Sequence, residues 1–398
     1  MMILYLSQRL RSHALTGGGT YDARVFQRLS EIHDVVLIGK CGQKLQPLRD
    51  CLLGAIWSYC PDYDRRVEQA LERETARSGY DLIWADGYYC APYLRRARGL
   101  PSILMTRDSQ TRYHRLRRRI HPSFLAALSE RRQAWFEKRF YPLASRVVFL
   151  SEQDAQFHRD IDHASRCVVF PAAVDAASPE FDAAKSMSMS VSPSVPVSVP
   201  TSAPASVPPS QILFTGAMNY EPNSDAAIWF ARKIMPLIAR EAPQAQFIIA
   251  GHSPGAGVRA LESEPSNCAC GGSGRIRVTG FVEDLRSLVG AAAVFVSPLR
   301  FGAGVKTKLL EAMAMGKAIV ATPLSADGIA ARDGQEMLFA STPEDFARCV
   351  LRLLNDAPLR ARLGAAARQS VLAHHTWGKF FDAMDCLLAE VTQKPNAK

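Results

Sequence analysis

The sequence predicts an α/β protein made of two domains, each a doubly wound parallel sheet with helices on both faces. Three observations carry this. Short apolar runs alternate with stretches of helical period along both halves of the chain. A tract without charge, SMSMSVSPSVPVSVPTSAPASVPPS, separates the halves. One segment, Val294 to Thr322, reads as strand, glycine loop, helix and strand in roughly thirty residues, a βαβ unit whose crossover should be right-handed.

In chain order, the first half offers the strands MILYL, DVVLIG, DLIWAD, SILMT, RVVFL and CVVF. The second offers QILFTG, AQFIIAG, RIRVTG, VFVSP, KAIVAT and EMLFA. Runs of this length, bounded by Gly, Pro or Asp, suit strands buried on both faces. The expected domains are 1–185, a linker at 186–210, and 211–398, both domains Rossmann-like. Ser, Pro and Val without charge or helical period make the tract from Ser186 to Ser210 an extended tether. A helical segment from about Pro343 to Val391 should cover the second domain.

A chain of 398 residues, 47% hydrophobic, is too long for one core and rich enough for two. Mean hydropathy is near zero, and no stretch approaches the roughly 20 apolar residues of a spanning helix. MMILYLSQRLR reads as a first strand rather than a signal peptide, so a cytoplasmic location is expected. The nine cysteines form no CxxC pair. Cys268 and Cys270 fall in a Gly/Ser loop, and Cys167 beside Val168 and Val169 looks like a small buried residue; no metal site is expected. His374-His375 lacks a third ligand and reads as helix surface.

The charge is +10. Arginines gather at 95, 96 and 98, then at 112, 115, 117, 118 and 119, and at 131, 132 and 139 with Lys138. Tyr113, Leu116, Ile120 and Phe124 lie among them. Such a face suits either plain solvation or an anionic bilayer, where each cation is worth about 1 kcal/mol. No nucleic-acid recognition module is visible, and nucleic acid is not an expected partner.

Chemistry concentrates in the βαβ unit. Gly302 and Gly304 permit close backbone approach, and the free N–H groups of the following helix favour an anion. Arg300, Lys306 and Lys308 add positive charge, Lys308 having the alternative of a helical pair with Glu311. This is a site for a phosphorylated ligand.

The run Pro298, Gly302, Gly304, Lys306, Lys308 and Leu310-Glu311-Ala312-Met313-Ala314, closed by Gly316, resembles the nucleotide-sugar site of retaining family 4 glycosyltransferases of the GT-B fold. The resemblance implies two domains facing a cleft, no metal or other cofactor, and Glu311 holding the donor ribose. The family's first glutamate, eight positions earlier, falls on Ala303, so the contact usually made to the donor sugar is absent. The family's Arg/Lys pair after the second domain's first strand is also missing: Gly216-Ala217-Met218-Asn219-Tyr220 has no cation. Backbone amides and Asn219 must then substitute, or the charge must come from Arg300 and Lys306; Gly216, Gly302, Ala303, Gly304 and Val305 are the expected donor-binding backbone positions. Lys306 is expected as its principal ligand. Gly280 to Leu285 resembles the segment beside the nucleotide base, with the backbone around Val282 reading the base edge; Asp284 equally suits a helix cap.

In the first half, Gly17-Gly18-Gly19 precedes a helix from Tyr21 to Ile32 that Thr20 or Asp22 would cap. Gly18 and Gly19 either reach toward the donor or form only a flexible turn. Asp108, after SILMT, either orients the acceptor hydroxyl and takes its proton or pairs with Arg107, Arg112 or Arg115. His114 is expected at the surface. Asp86-Gly87-Tyr88 is another strand end that either touches the acceptor or merely turns.

The expected activity is transfer of a sugar, with retention, from a nucleotide-diphosphate donor to a glycan or lipid-linked hydroxyl, peripheral at the inner membrane face. A nucleotide-sugar 2-epimerase and a noncatalytic nucleotide-sugar-binding subunit are the rivals.

Overall fold

The computed structural model describes residues 1–7, 17–39, 63–77, 79–176, 211–264 and 275–393. The tract from Ser186 to Ser210, together with Cys268 and Cys270, lies outside the described residues. Two compact units are present. The first comprises Met1–Pro171, Phe301–Val305 and Phe380–Lys398; the second comprises Ala172–Arg300 and Lys306–Lys379.

The first unit holds a six-stranded parallel sheet of order β2-β1-β3-β4-β5-β6. Its strands are β1 (Met2–Ser7), β2 (Asp34–Ile38), β3 (Leu82–Asp86), β4 (Ser102–Arg107), β5 (Arg146–Phe149) and β6 (Cys167–Val169). Each coincides with one of the apolar runs of the sequence. The central strands are buried along nearly their whole length, Ile83, Leu104 and Val147 among them, which is why they read as continuous apolar runs without alternation. Helices α2 (Arg65–Ala76), α3 (Gln110–Ile120), α4 (Phe124–Phe140) and α5 (Glu152–Ile161) start on the side-chain oxygens of Asp64, Ser109, Ser123 and Ser151. Each cap accepts from a first-turn N–H that the helix cannot itself satisfy.

Helix α1 corrects one expectation. It spans Gly17–Ile32, so Gly17, Gly18 and Gly19 form its first turn rather than a loop ahead of it. Thr20 and Asp22 therefore lie inside the helix rather than at its cap position. Asp22 is buried, and its carboxylate accepts from Arg107. A tertiary ion pair has claimed the side chain that local sequence assigns to a cap.

The second unit repeats the plan with order β12-β11-β10-β7-β8-β9. Its strands are β7 (Gln211–Thr215), β8 (Gln246–Ala250), β9 (Ile276–Gly280), β10 (Val294–Ser297), β11 (Ile319–Ala321) and β12 (Leu338–Phe339). Helices α6 (Glu221–Trp229), α7 (Met235–Glu241), α8 (Leu285–Ala291), α9 (Thr307–Ala314), α10 (Pro343–Asn355), α11 (Ala357–His374) and α12 (Trp377–Thr392) follow. Phe230 lies 4.2 Å from Phe247 and 5.8 Å from Phe346, ring centroid to ring centroid, pinning helix to sheet. Burying each such ring stabilises by roughly 1.5–3 kcal/mol. Asp284 caps α8 through Ser287 N, as one reading of the sequence had it. Helix α12 is divided: from Phe380 onward it belongs to the first unit, where Arg28 pairs with Asp385 and Phe170 meets Phe380 edge-on.

His375 is not helix surface. It is buried, its Nδ1 lies 3.0 Å from Ala172 O, and its Nε2 accepts from Ala330 N at 2.9 Å. This fixes a neutral ring carrying its proton on Nδ1. Burial lowers its pKa from 6.5, outweighing the bond to Ala172, which raises it. The unfolded chain therefore binds this proton more readily than the folded one. Stability is full above about pH 6.5 and falls as pH drops below it. Urea melts between pH 5 and 8 should show this fall, and His375→Asn should flatten it.

Candidate functional site

In an open parallel sheet, ligands bind beyond the carboxyl ends of the strands, where the strand order reverses. In the second unit that point lies between β7 and β10, which are paired in parallel through Ile212 and Leu213. The residues the sequence singled out from 216 and from 300 onward follow these two strands.

Gly216 ends β7 with φ of +154°. A Cβ there would lie 2.6 Å from the Asn223 amide nitrogen, so glycine leaves the room in which Asn223 sits. Asn223, at the start of α6, donates to Ala217 O at 2.9 Å and accepts from Lys308 Nζ at 2.6 Å. The Lys308 ammonium also stands 4.1 Å from the centre of the Phe214 ring, a cation–π arrangement. Burial, then the neighbouring charge of Lys306, pushes the Lys308 amine well below the ordinary lysine value. An ammonium destabilised in this way gains strongly when an anion arrives.

Lys308 therefore does not pair with Glu311, the alternative left open in the sequence. Lys306 occupies the N-cap position of α9, and its carbonyl accepts from Leu309 N at 2.8 Å. The amides of Thr307 and Lys308 precede any carbonyl the helix can offer them, which makes this helix start an anion-favouring end. Arg300, expected beside a diphosphate, is held elsewhere. Its Nε donates to Asp225 at 2.8 Å, a second bond comes from Nη2, and the guanidinium lies 5.8 Å from the Trp229 ring centre. Its charge is balanced within the fold.

Glu311 is solvent-exposed on α9 yet closely surrounded by protein. That enclosure pushes its carboxyl up from the usual range, with Arg286 of α8 acting the other way. The loop between β9 and α8, which carries half-buried Val282 and exposed Phe281, thus leads to a cation in electrostatic reach of Glu311. Sequence reasoning did not single out Arg286, Phe214 or Asn223 for this site. Their grouping depends on strand order, which brings β7 next to β10 although some 80 residues separate them.

The first unit has its own switch point between β1 and β3, and a buried ion cluster fills it. Tyr5 donates to Asp86, and Arg107 Nη2 donates to both Asp22 and Asp86. Burial alone would lower the Arg107 guanidinium; Asp86 and Asp22 more than offset it and raise its pKa. Arg107 has φ of +72° where β4 slips register against β5, a conformation costing about 1–3 kcal/mol that surrounding contacts must hold. Asp86 is fully buried, its carboxylate held by Tyr5 and Arg107, so it does more than turn the chain. Asp108 is half-buried and accepts from Gln110 Nε2 at 2.8 Å. Of the arginines weighed as its partners, Arg107 bonds Asp22 and Asp86, Arg112 bonds Asp154, and Arg115 bonds Glu130. His114 is half-buried rather than superficial, and burial followed by Arg117 lowers its pKa.

Phe301–Val305 belong to this unit. Gly304, with φ of +70°, donates its N–H to Asp154 at 2.9 Å. A Cβ on Gly304 would lie 3.1 Å from Asp108 Oδ2. The Gly304 amide, expected on a phosphate, is thus directed at a carboxylate; Gly302 is buried and Ala303 half-buried beside it, as is Val305. Backbone amides of Gly18 and Gly19 lie in the first turn of α1.

Residues 209–356 match the family described as glycosyl transferases group 1. An uncharacterized 44.6 kDa protein in the cps region of Klebsiella pneumoniae is 25% identical over 140 residues, which span 35% of this chain and 36% of that relative. The structure is similar to sucrose-phosphate synthase from Thermosynechococcus elongatus, with a TM-score of 0.71 at 18% identity over 98% of each chain. It is also similar to Anabaena HepE solved with UDP-glucose, with a TM-score of 0.62 at 16% identity over 98% of this chain and 100% of that one. The fold is that of these two-domain α/β proteins, the GT-B fold. Among the described residues, no helix is long and apolar enough to cross a membrane.

Proposed function

We propose that the chain is a glycosyltransferase that moves a sugar from a nucleotide-diphosphate donor to a hydroxyl acceptor. One observation carries this reading. The stretch matching glycosyl transferases group 1 contains the switch point of the second sheet, where Lys308, Asn223 and the start of α9 form an anion-favouring end. HepE, of the same fold, was solved with UDP-glucose, which supports a nucleotide-sugar donor here.

When the bond from sugar to diphosphate breaks, the departing oxygen takes the electron pair and the diphosphate gains negative charge. Lys308, Lys306 and the first amides of α9 would stabilise that charge more than the ground state, which is how fixed electrostatics accelerates a reaction. These cations and helix amides supply the neutralisation without a metal. Glu311 would accept hydrogen bonds from the ribose hydroxyls. Asp108 remains the candidate to orient the acceptor, and retention of configuration follows the family 4 resemblance. A lipid-linked or polysaccharide acceptor at the inner membrane face fits the basic first unit.

Thermal melts with UDP-, GDP- and ADP-sugars test the reading, because a ligand that binds only the folded state raises the melting temperature. One base class should do so; no shift with any of the three would overturn it. Release of free sugar without an acceptor would favour a 2-epimerase. Binding without turnover on any lipid or glycan acceptor would favour a noncatalytic subunit.

A further inference from the structure

Helix α4 carries large apolar side chains on two opposite faces, one buried and one exposed. Its inner face, carrying Ala126, Phe136 and Phe140, is buried against the first unit. On a surface helix the opposite face should be polar. Here it carries Phe124, Leu128 and Trp135, exposed by 82%, 53% and 43%. These positions fall within one 40° sector at 100° per residue, and Leu125, 71% exposed, flanks it.

The charges on the same face are all positive. Arg131 and Lys138 border that sector, within a further 40° on one side, and both are exposed. Exposed Arg118 and Arg119 lie in the last turn of the preceding helix, α3, four and three residues before Pro122. The only carboxylates of α4 are Glu130 and Glu137, and both point inward. Glu130 bonds Arg115 and Arg118, while Glu137 accepts from Ser109, Thr111 N and His158. The outer face therefore presents apolar rings and cations with no negative charge among them.

We propose that this face of α4 is a membrane-docking surface that lies on an anionic bilayer. Phe124, Leu128 and Trp135 would enter the headgroup–acyl boundary, and Arg131 and Lys138 would pair with lipid phosphates. An amphipathic element with this composition binds in the plane of the interface, by buried apolar area plus attraction to anionic lipid. The mixture distinguishes it from a solvated basic face, which has no use for three exposed rings and aliphatic chains along one line. The proposal gives the peripheral location in the preceding reading a specific surface, and it rests on that reading only for its setting.

Flotation of the full chain with vesicles tests it. Binding to phosphatidylglycerol/phosphatidylcholine vesicles should exceed binding to pure phosphatidylcholine by about tenfold and fall with added salt. The variant Phe124→Ser/Leu128→Ser/Trp135→Ser should lose at least about tenfold in partitioning, and Arg131→Glu/Lys138→Glu should abolish the preference for anionic lipid. Brominated lipid should quench the wild-type protein more than Trp135→Phe, a readout that survives if the triple variant does not fold. Equal binding by wild type and folded variants, no binding to anionic vesicles, or tighter capture of duplex nucleic acid by the same face would overturn the proposal. Nucleotide-sugar thermal shifts should be unchanged in these variants, so failure here is separable from failure of the donor-site reading.

Discussion

Arg107→Ala is expected to destabilise the first unit by about 3–5 kcal/mol, the cost of leaving a buried ion cluster without its cation. The guanidinium is the shared partner of Asp22 and Asp86, and Asp86 is fully buried with Tyr5 as its other donor. Removing the arginine places two carboxylates in low dielectric without their cation. Arg107→Lys should recover only part of the loss, because one ammonium cannot reproduce the planar fork. Urea or guanidinium melts at pH 7 measure both variants. A loss below about 1 kcal/mol for the alanine variant, typical of an exposed pair, would show that the cluster does not hold the β4 bulge.

Lys308→Met is expected to weaken donor binding by about 1.5–3 kcal/mol, roughly 10- to 150-fold in dissociation constant, the value of a hydrogen bond to a charged group. The free protein holds this amine below the ordinary lysine value of 10.5 through burial and Lys306. The unfolded chain therefore binds the proton more tightly, so ligand-free stability gains from this group as pH rises toward 10.5. Donor binding has the opposite sign. A diphosphate restores the ammonium form, so affinity should fall as pH rises through the Lys308 pKa of the free protein, with proton uptake on binding. Calorimetry in buffers of different ionisation enthalpy reads that uptake, which Lys308→Met should remove. Lys306→Ala and Glu311→Ala should each also reduce the donor-dependent thermal shift. If all three variants keep the wild-type shift, the diphosphate does not bind at the start of α9.

The central strands were legible because each is buried on both faces and so appears as an uninterrupted apolar run. Leu82–Asp86 and Val294–Ser297 show this most simply. Local signals also placed the cap at Asp284 and the glycine stop at Gly316, whose φ is +67°. The roles of individual polar side chains were less legible. Asp22 looked like a cap and is an ion-pair partner across the sheet. His375 looked like surface and is a buried neutral ring between Ala172 and Ala330. In both cases the deciding partner lies far along the chain, and no local pattern carries it.

The same division runs through the candidate site. The sequence alone determined that a glycine-rich turn, two lysines and Glu311 stand at the start of a helix after a buried strand, because each of those features is local. Only the tertiary structure decided which cation is available. Arg300 is neutralised by Asp225, whereas the Lys308 amine is packed against Asn223 and Phe214 with its pKa held below the ordinary lysine value. That outcome follows from the reversal of strand order beside β7. It sets Phe214, Asn223 and Asp225 against Arg300 and Lys308, and charge pairing over such separations is fixed by packing rather than by neighbouring sequence.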